Sequence, residues 1–245
     1  MKSISKHIFI SAFIGILLMA CDKIDPDQNR LTEQEVEEGW KLLFDGRSTK
    51  GWHLYNEPGT PSSWVVIDGE LYCDPYNFEV KKGDLVTDKE YEDFELQFEW
   101  KITKDGNSGV FINVQEDKKY PNTYSTGLEY QLLDGRAINE NSYLIDSTKR
   151  AGTIYGLSPY SSEVKINPPG EWNHAKIQHV NGRVSFWLNG EISSEADLKT
   201  LEWQERVANS EFNDKPDFAK KNSGKIGLQY WAKGVSFRNI KILEF

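Results

Sequence analysis

The chain has 245 residues, enough for one large all-β domain or two small ones. Its formal net charge of −9 leaves no cationic surplus for a phosphate backbone, which excludes nucleic acid as a partner. Hydrophobic residues make up 38% and charged residues 27%, as in soluble globular proteins; the 13% aromatic content, with eight Trp, would also suit a surface that stacks on sugar rings.

The first 20 residues have the organisation of a bacterial signal peptide. Lys2 and Lys6 precede an apolar run over residues 8–19, and Ala20-Cys21 follows it. A cysteine directly after a small residue at this point is typical of lipoproteins, so we expect cleavage before Cys21 and a lipid anchor on its thiol. An ordinary signal peptide with an incidental cysteine is the alternative. Residues 21–36 are then expected to be a flexible tether, and the protein to lie in the bacterial cell envelope, periplasmic or surface-exposed.

The second cysteine, Cys73, would have no intramolecular partner if Cys21 carries lipid. No base is close to Cys73 in the sequence, so a nucleophilic role is disfavoured. We therefore expect Cys73 to be a small buried residue.

A short helix is predicted after Thr32, which has capping-box spacing with Glu35. Beyond it, short strands alternate with Asp-Gly and Asn-Gly turns. The strand-containing segments are 62–73 (two strands), 93–102, 108–115, 127–134, 173–191 (a hairpin) and 224–245 (a final pair). This pattern predicts an all-β sandwich or jelly roll. Residues 194–212 break it with helical spacing, which predicts a short surface helix beside the sheet. One domain over residues 37–245 is the simplest organisation.

Several catalytic motifs are absent from the sequence. There is no glycine-rich phosphate loop, no Cys-x-x-Cys, no His-Glu-x-x-His and no Gly-x-Ser-x-Gly. His53, His174 and His179 are dispersed, so no zinc site and no cofactor are expected, although a carboxylate-bound Ca²⁺ stays open. Carboxylates, amides and aromatic rings remain as candidates for chemistry.

The segment 127–134, GLEYQLLD, has the period of a strand with one dry and one polar face. Glu129 and Gln131 lie two residues apart, so their side chains project from the same face. A solvated sheet surface would explain this pattern, and a ligand-binding face is the alternative.

The sequence resembles the 3-keto-disaccharide hydrolase family over about 200 residues. Each matching segment is short, but their order along the chain is specific. The segments are GWKLLFDGRSTKGWHLYN (39–56), GDLVTDKEYEDFELQFEWKI (83–102), GNSGVFINV (106–114), GLEYQLLD (127–134), RAGTIYGL (150–157), NPPGEWNHAKI (167–177), VSFWLNG (184–190), GKIGLQ (224–229) and VSFRNIKI (235–242).

This resemblance implies a concanavalin-like jelly roll that cleaves glycosides already oxidised to a ketone at C3. The ketone acidifies the C2 hydrogen, so a base can form an enolate, the C1 substituent can leave, and water can add back. Such a site needs a base, donors for the enolate oxygen and help for the leaving group.

The matching motifs suggest a role for each polar residue. Glu129 is expected to be the general base, and Asn107 and Gln131 to be amide donors to the keto oxygen or neighbouring hydroxyls. Arg150 is expected to stabilise developing negative charge, and Asp134 to orient groups or assist the leaving oxygen. The structural alternatives are turn residues for Asp134 and Asn107, and an ion pair with a sheet carboxylate for Arg150.

Four aromatic residues are candidate sugar platforms, with burial in the core as the alternative for each: Trp52, Tyr155, Trp172 and Trp231. The sequence departs from the family at Tyr230, where a polar residue is expected. If that position lines the site, the pocket here is more aromatic, which could alter substrate choice or leave binding without catalysis.

Two other functions fit the same features. One is a noncatalytic carbohydrate-binding lipoprotein that uses the same face. The other is a conventional retaining glycosidase, which needs two carboxylates about 5 Å apart. The amide of Gln131 occupies the place where a partner acid would be expected, so this reading ranks last.

Overall fold

The computed structural model describes residues 27–134, 146–159, 164–231 and 233–245. Thirteen strands in these ranges form two antiparallel sheets. The eight-stranded sheet has the order β11 (Glu191–Asp197), β10 (Arg183–Leu188), β9 (Asn173–Val180), β6 (Phe94–Ile102), β13 (Val235–Glu244), β4 (Glu70–Cys73) and β3 (Trp64–Ile67), with β1 (Lys41–Leu42) also paired to β13. The five-stranded sheet has the order β2 (Trp52–Leu54), β5 (Leu85–Thr87), β12 (Lys225–Leu228), β7 (Asn107–Val114) and β8 (Leu128–Leu133).

The core lies between the inner faces of the two sheets. Strand β6 shows how the sequence builds it, since every second residue is buried along its length, as strict alternation predicts. Tyr130 of β8 meets this layer, with its ring 5.6 Å from Phe98 and 5.0 Å from Phe186. The predicted all-β jelly-roll sandwich is thus confirmed.

The final two strands differ from the expectation in their partners. β12 belongs to the five-stranded sheet and β13 to the eight-stranded sheet, so they do not form a hairpin. The chain crosses from one sheet to the other between Leu228 and Val235. Sequence alternation marks strands but carries no information about which sheet receives each one.

Both predicted helices are present. Helix α1 (Glu33–Glu38) follows the capping box of Thr32 and Glu35, and helix α2 (Leu201–Ala208) begins after the N-cap Thr200. The α2 helix is shorter than the segment that suggested it. Residues 194–197 continue β11, because they pair with β10 rather than coil.

The folded unit begins before residue 37, which corrects the expected tether. Asn29 is buried, and its backbone N–H donates to Oδ1 of Asn239 while its own Oδ1 accepts from the Asn239 N–H. The Asn29 side chain also donates to the Gly69 carbonyl. Three hydrogen bonds at one buried residue fasten this segment to the eight-stranded sheet.

The signal peptide over residues 1–20 and Cys21 lie outside the described residues. In the part of the chain that the structure describes, no helix combines the length and apolarity needed to cross a membrane.

Candidate functional site

The outer face of the five-stranded sheet collects the polar residues of several strands. Inward residues such as Tyr130 and Leu228 pack in the core, so their strand neighbours point outward. The pairing register aligns these outward residues in two rows across the sheet. One row is Val86, Gly227, Phe111 and Glu129; the next is Asp84, Gln229, Gly109 and Gln131.

Glu129 occupies the space left by a glycine. A Cβ on Gly109 would overlap the Oε1 atom of Glu129 and would lie 2.7 Å from its Cγ. The Glu129 side chain therefore leans over Gly109, from its own row into the row that contains Gln229 and Asp84. It is only 8% exposed and Gln131 only 1%, so this is not the solvated sheet surface that alternation alone would allow.

Burial raises the pKa of Glu129 well above the ordinary glutamate range. The negative charge of Asp84 raises this pKa further, a hydrogen bond from the Gln229 side chain opposes the rise, and Glu211 adds a smaller upward contribution. A carboxyl whose pKa is raised in this way can donate a proton as well as accept one.

Asp84 is the residue that sequence reasoning missed. It directly precedes β5, and its carboxylate accepts hydrogen bonds from the Thr123 hydroxyl and from the backbone N–H of Tyr230, the latter at 2.8 Å. Burial raises the pKa of Asp84, and these two hydrogen bonds oppose the rise. A signal was available, because Asp84 lies inside the matching segment 83–102.

Asn107 and Gln131 are brought together, as expected for two residues of one site. The Gln131 Nε2 donates to Oδ1 of Asn107 at 3.0 Å. The Gln131 Oε1 is buried and has no hydrogen-bond partner in the described ranges. Its free atom is thus an acceptor, suited to a sugar hydroxyl rather than to a keto oxygen.

Tyr155 and Trp231 lie at the rim of this face. The Tyr155 N–H donates to the Glu129 carbonyl at 3.0 Å, because residues 152–155 run along the outer edge of β8. The Lys149 Nζ lies 5.3 Å from the centroid of the Tyr155 ring. Trp231 follows Gln229 by two residues and is 40% exposed. The Tyr155 ring packs edge-on against Phe212, with 6.4 Å between the ring centroids.

Asp134 and Arg150 lie at the ends of segments next to Gln131. The Asp134 carboxylate accepts from the Asp105 N–H at 2.8 Å, so it fastens the turn between β6 and β7. The Arg150 carbonyl accepts from both the N–H and the hydroxyl of Thr153. These contacts stabilise the backbone next to β8. They do not test the chemical roles expected for Asp134 and Arg150.

Two of the candidate platforms lie away from Glu129. Trp52 is buried in the core and donates its indole N–H to the Leu43 carbonyl at 2.6 Å. Trp172 precedes β9 of the other sheet, where its ring lies 4.2 Å from the Arg238 guanidinium carbon and 4.5 Å from the Lys101 Nζ. Trp52 is thus a core residue, and Trp172 is flanked by two cations on the opposite face of the sandwich.

Tyr230 contributes its backbone rather than its ring. Its N–H donates to Asp84, whereas its side chain packs against the core cluster. The departure from the family pattern therefore does not place the Tyr230 ring above Glu129.

Cys73 and His179 lie apart from this face, whereas His53 lies at its β2 edge, opposite Val86. Cys73 is buried, as expected, and burial raises the pKa of its thiol to about 12. His179 is buried beside Phe94, and His53 lies between the carboxylates of Asp88 and Glu116. Over the described ranges, no group of three or more His, Cys, Asp and Glu residues could hold a metal ion.

The outer face of the eight-stranded sheet has a groove of its own, of about 470 Å³. Several charges in that groove are already paired. Glu99, for example, accepts from Arg238 at 2.7 Å and from Asn239 at 2.8 Å. The carboxyls of Asp84 and Glu129 have no such cationic partner among their described hydrogen bonds, and this favours the five-stranded face as the site.

Comparison with known proteins identifies the family of the chain. The family described as 3-keto-α-glucoside-1,2-lyase-like domains matches residues 39–243. A 3-keto-disaccharide hydrolase from Bacteroides thetaiotaomicron is 31% identical over 230 residues, which are 84% of this chain and 78% of that protein.

Two crystal structures of candidate glycosyl hydrolases from Parabacteroides distasonis are also similar. The first has a TM-score of 0.80 and 32% identity over 89% of this chain and 99% of its own. The second has a TM-score of 0.62 and 27% identity over 84% of this chain and 99% of its own. The chain belongs to the family of 3-keto-α-glucoside-1,2-lyase-like domains, and it is an enzyme of the hydrolase class.

Proposed function

We propose that this enzyme cleaves glycosides that carry a ketone at C3, by elimination across C1 and C2 followed by addition of water. The observation that carries the proposal is the buried carboxyl of Glu129 above Gly109, on the face that also presents Asn107 and Gln131. The family description, which names a 3-keto-α-glucoside and a 1,2-lyase, supports the substrate class and the bond that is broken.

The chemistry of such a substrate suits this site. A C3 ketone acidifies the C2 hydrogen, so a carboxyl group can move that proton without a metal ligand set or a covalent intermediate. A buried carboxyl of raised pKa is a stronger base when ionised and a ready donor when protonated. Glu129 is therefore the group to which we assign a proton transfer in this reaction.

The neighbouring amides position the sugar. The unpartnered Gln131 Oε1 accepts a hydrogen bond from a sugar hydroxyl, and the Asn107 amide, whose Oδ1 is already bonded to Gln131, donates from its other end to the keto oxygen. Tyr155 and Trp231 offer ring faces at the rim for the sugar or its aglycone.

The test is to incubate the full-length protein with an aryl 3-keto-α-glucoside and with its unoxidised parent, and to follow aglycone release. We expect release from the ketone alone. Release from the parent would instead indicate a conventional glycosidase, and binding without release a carbohydrate-binding module.

Variants assign the activity to this face. On a methyl 3-keto-α-glucoside, whose leaving oxygen needs a proton, Glu129→Gln should lower kcat/KM by about 100-fold or more, the usual contribution of a general acid or base, while substrate still binds. Glu191→Gln, an exposed glutamate on β11 of the other sheet, is the matched control and should behave as the wild type. Unchanged turnover by Glu129→Gln would remove Glu129 from the reaction.

A further inference from the structure

We propose that Asp84 is a second catalytic carboxyl of this site, which removes the C2 proton while Glu129 protonates the departing glycosidic oxygen. This inference rests on the proposed function and adds a residue to it. It also divides between two groups the work that the sequence assigns to Glu129 alone.

The register of the sheet brings the two carboxyls to one surface. Asp84 stands opposite Gln229, and Gln229 stands opposite Gly109, to whose carbonyl its N–H donates at 2.8 Å. The Glu129 carboxyl leans over Gly109 from the neighbouring strand. Because adjacent strands are about 4.8 Å apart, the carboxyls face each other across two strand spacings, about 10 Å at the level of the backbone.

Gln229 lies between the two carboxyls in the sheet, and its side chain hydrogen-bonds to Glu129. Gln229 and Asp84 are half-buried, so this part of the face is the part open to a ligand. A sugar ring over Gln229 would have one carboxyl on each side.

The stereochemistry of the substrate requires two groups. In the chair of a 3-keto-α-glucoside, the C2 hydrogen and the C1 oxygen are both axial and point to opposite faces of the ring. A single carboxyl cannot reach both atoms in one step, whereas carboxyls on either side can.

The two carboxyls differ in how they are held. Asp84 accepts from two fixed donors, the Thr123 hydroxyl and the Tyr230 N–H, and both favour its ionised form. Glu129 has the Gln229 amide as its favourable partner and is nearly excluded from water. Burial raises the pKa of both groups, and the two fixed donors to Asp84 suit it to the role of base. Other titratable groups near Glu129 are Glu211 and Lys149, which pair with each other at 3.0 Å.

The steps balance. Asp84 takes the proton from C2, the C2–H electrons form a C1=C2 double bond, and the C1–O bond breaks as its oxygen takes the proton of Glu129. Water then adds to the resulting enone: Glu129 takes a proton from the water as its oxygen bonds to C1, and Asp84 returns a proton to C2. Both carboxyls regain their starting states, and the net reaction is hydrolysis.

Leaving-group dependence separates the two roles. Nitrophenolate departs without protonation, whereas an alkoxide needs an acid. With full-length protein, Glu129→Gln should keep kcat/KM for a nitrophenyl 3-keto-α-glucoside within about 10-fold of wild type, and lose about 100-fold or more for the methyl glycoside. Asp84→Asn should lose about 100-fold or more on both, and should also lose exchange of the C2 hydrogen in D₂O.

The contrary outcomes are distinct. Wild-type rates of Asp84→Asn on both aglycones would overturn the proposal, as would a reversed pattern in which Glu129→Gln alone loses C2 exchange. A wild-type protein inactive on both ketones would instead refute the proposed function itself.

A second pair of variants leaves both carboxyls in place, in case Asp84→Asn fails to fold. Thr123→Val removes one donor to Asp84 and Thr123→Ser keeps it. If Asp84 is the base, Thr123→Val should move the low-pH limb of kcat/KM to higher pH, because an ionised Asp84 becomes harder to form, and Thr123→Ser should not. A shift in the high-pH limb, or no shift at all, would overturn the proposal.

Discussion

Gly109 and Glu129 occupy neighbouring strands, and the carboxyl of the second fills the space that a side chain on the first would need. A Cβ on Gly109 would lie 2.7 Å from the Glu129 Cγ and closer still to its Oε1. This glycine therefore sets where the Glu129 carboxyl can be. Gly109 lies in strand β7, where the close approach of Glu129 accounts for a residue without a side chain.

Gly109→Ala should push the Glu129 carboxyl away from Gln229. A displacement of about 1 Å can cost about 100-fold in rate, so we expect a loss of that order in kcat/KM on the 3-keto-glycoside. Overpacking should also lower the free energy of unfolding by about 1–3 kcal/mol. Steady-state kinetics and urea unfolding measure the two effects. Gly83→Ala is the control, since its Cβ would meet only Leu54, at 3.6 Å; equal activity of both variants would contradict the steric account.

Glu129 should make the stability of the protein depend on pH. The folded state holds a proton on Glu129 that the unfolded chain releases above its ordinary pKa of 4.5, because burial raises the folded-state pKa. The free energy of unfolding should therefore fall as pH rises from 4.5 towards the folded-state pKa, by up to about 1.4 kcal/mol per pH unit.

Glu129→Gln tests this linkage without any substrate. The amide cannot ionise, so the variant should gain stability relative to wild type with each step of rising pH in that window, and the difference should be flat below it. Urea unfolding of both proteins at a series of pH values measures the difference. Parallel curves throughout would show that the folded protein does not hold this proton.

The sequence predicted the strands well, and the candidate site in part. Alternation over residues 94–102 and the turn dipeptides defined individual strands, since both depend on local geometry. Which sheet receives β12 and which β13 depends on long-range pairing, and no local pattern records it. The helical spacing over residues 194–212 predicts a helix that starts before the observed one, because β11 pairs with β10 up to Asp197.

Asp84 shows why the second carboxyl could not be predicted from alternation. It precedes a strand of three residues, which is too short to show an alternation period. Asp84 and Glu129 share one face only because β5, β12, β7 and β8 are neighbours in the sheet, and this order is not recorded locally. The burial of the aromatic residues could not be predicted either, for a related reason. Trp52 packs in the core and Trp231 is 40% exposed, because burial depends on what the folded sheets place above each ring.

Cys73 should be unreactive in the folded protein. Its side chain is buried, and burial raises the thiol pKa to about 12, so almost no thiolate forms near neutral pH. An alkylating reagent should label the Cys73 peptide only after unfolding, as read by mass spectrometry with and without denaturant. Rapid labelling of native protein would show that the strand β4 opens locally.

Cys21 should anchor the protein to a membrane, as the run that ends in Ala20-Cys21 predicts. In cells, the wild-type protein should fractionate with membranes, and Cys21→Ser should lose the lipid and appear in the soluble fraction or retain its signal peptide. Intact-mass measurement distinguishes these products. Cys73→Ser is the control and should remain lipidated; a membrane-bound, lipidated Cys21→Ser protein would contradict the anchor.

Gln131 should serve binding at some expense to stability. Its buried Oε1 has no partner in the described structure, and a buried acceptor left unpaired costs free energy in the ligand-free protein. Gln131→Met keeps the length of the side chain and removes that acceptor, so we expect a melting temperature equal to or above that of wild type. Loss of one hydrogen bond to a sugar hydroxyl should raise KM by about 3–10-fold with kcat little changed.

For Gln131→Met, the melting temperature should be equal or higher and KM should be higher in the same variant. Asn107 loses its bond from Gln131 in this variant, but it is partly exposed, so water can replace the donor. Differential scanning calorimetry and steady-state kinetics on the same preparations measure both effects. A lower melting temperature with unchanged KM would mean that Gln131 is a structural residue of β8, and that the substrate is held elsewhere on this face.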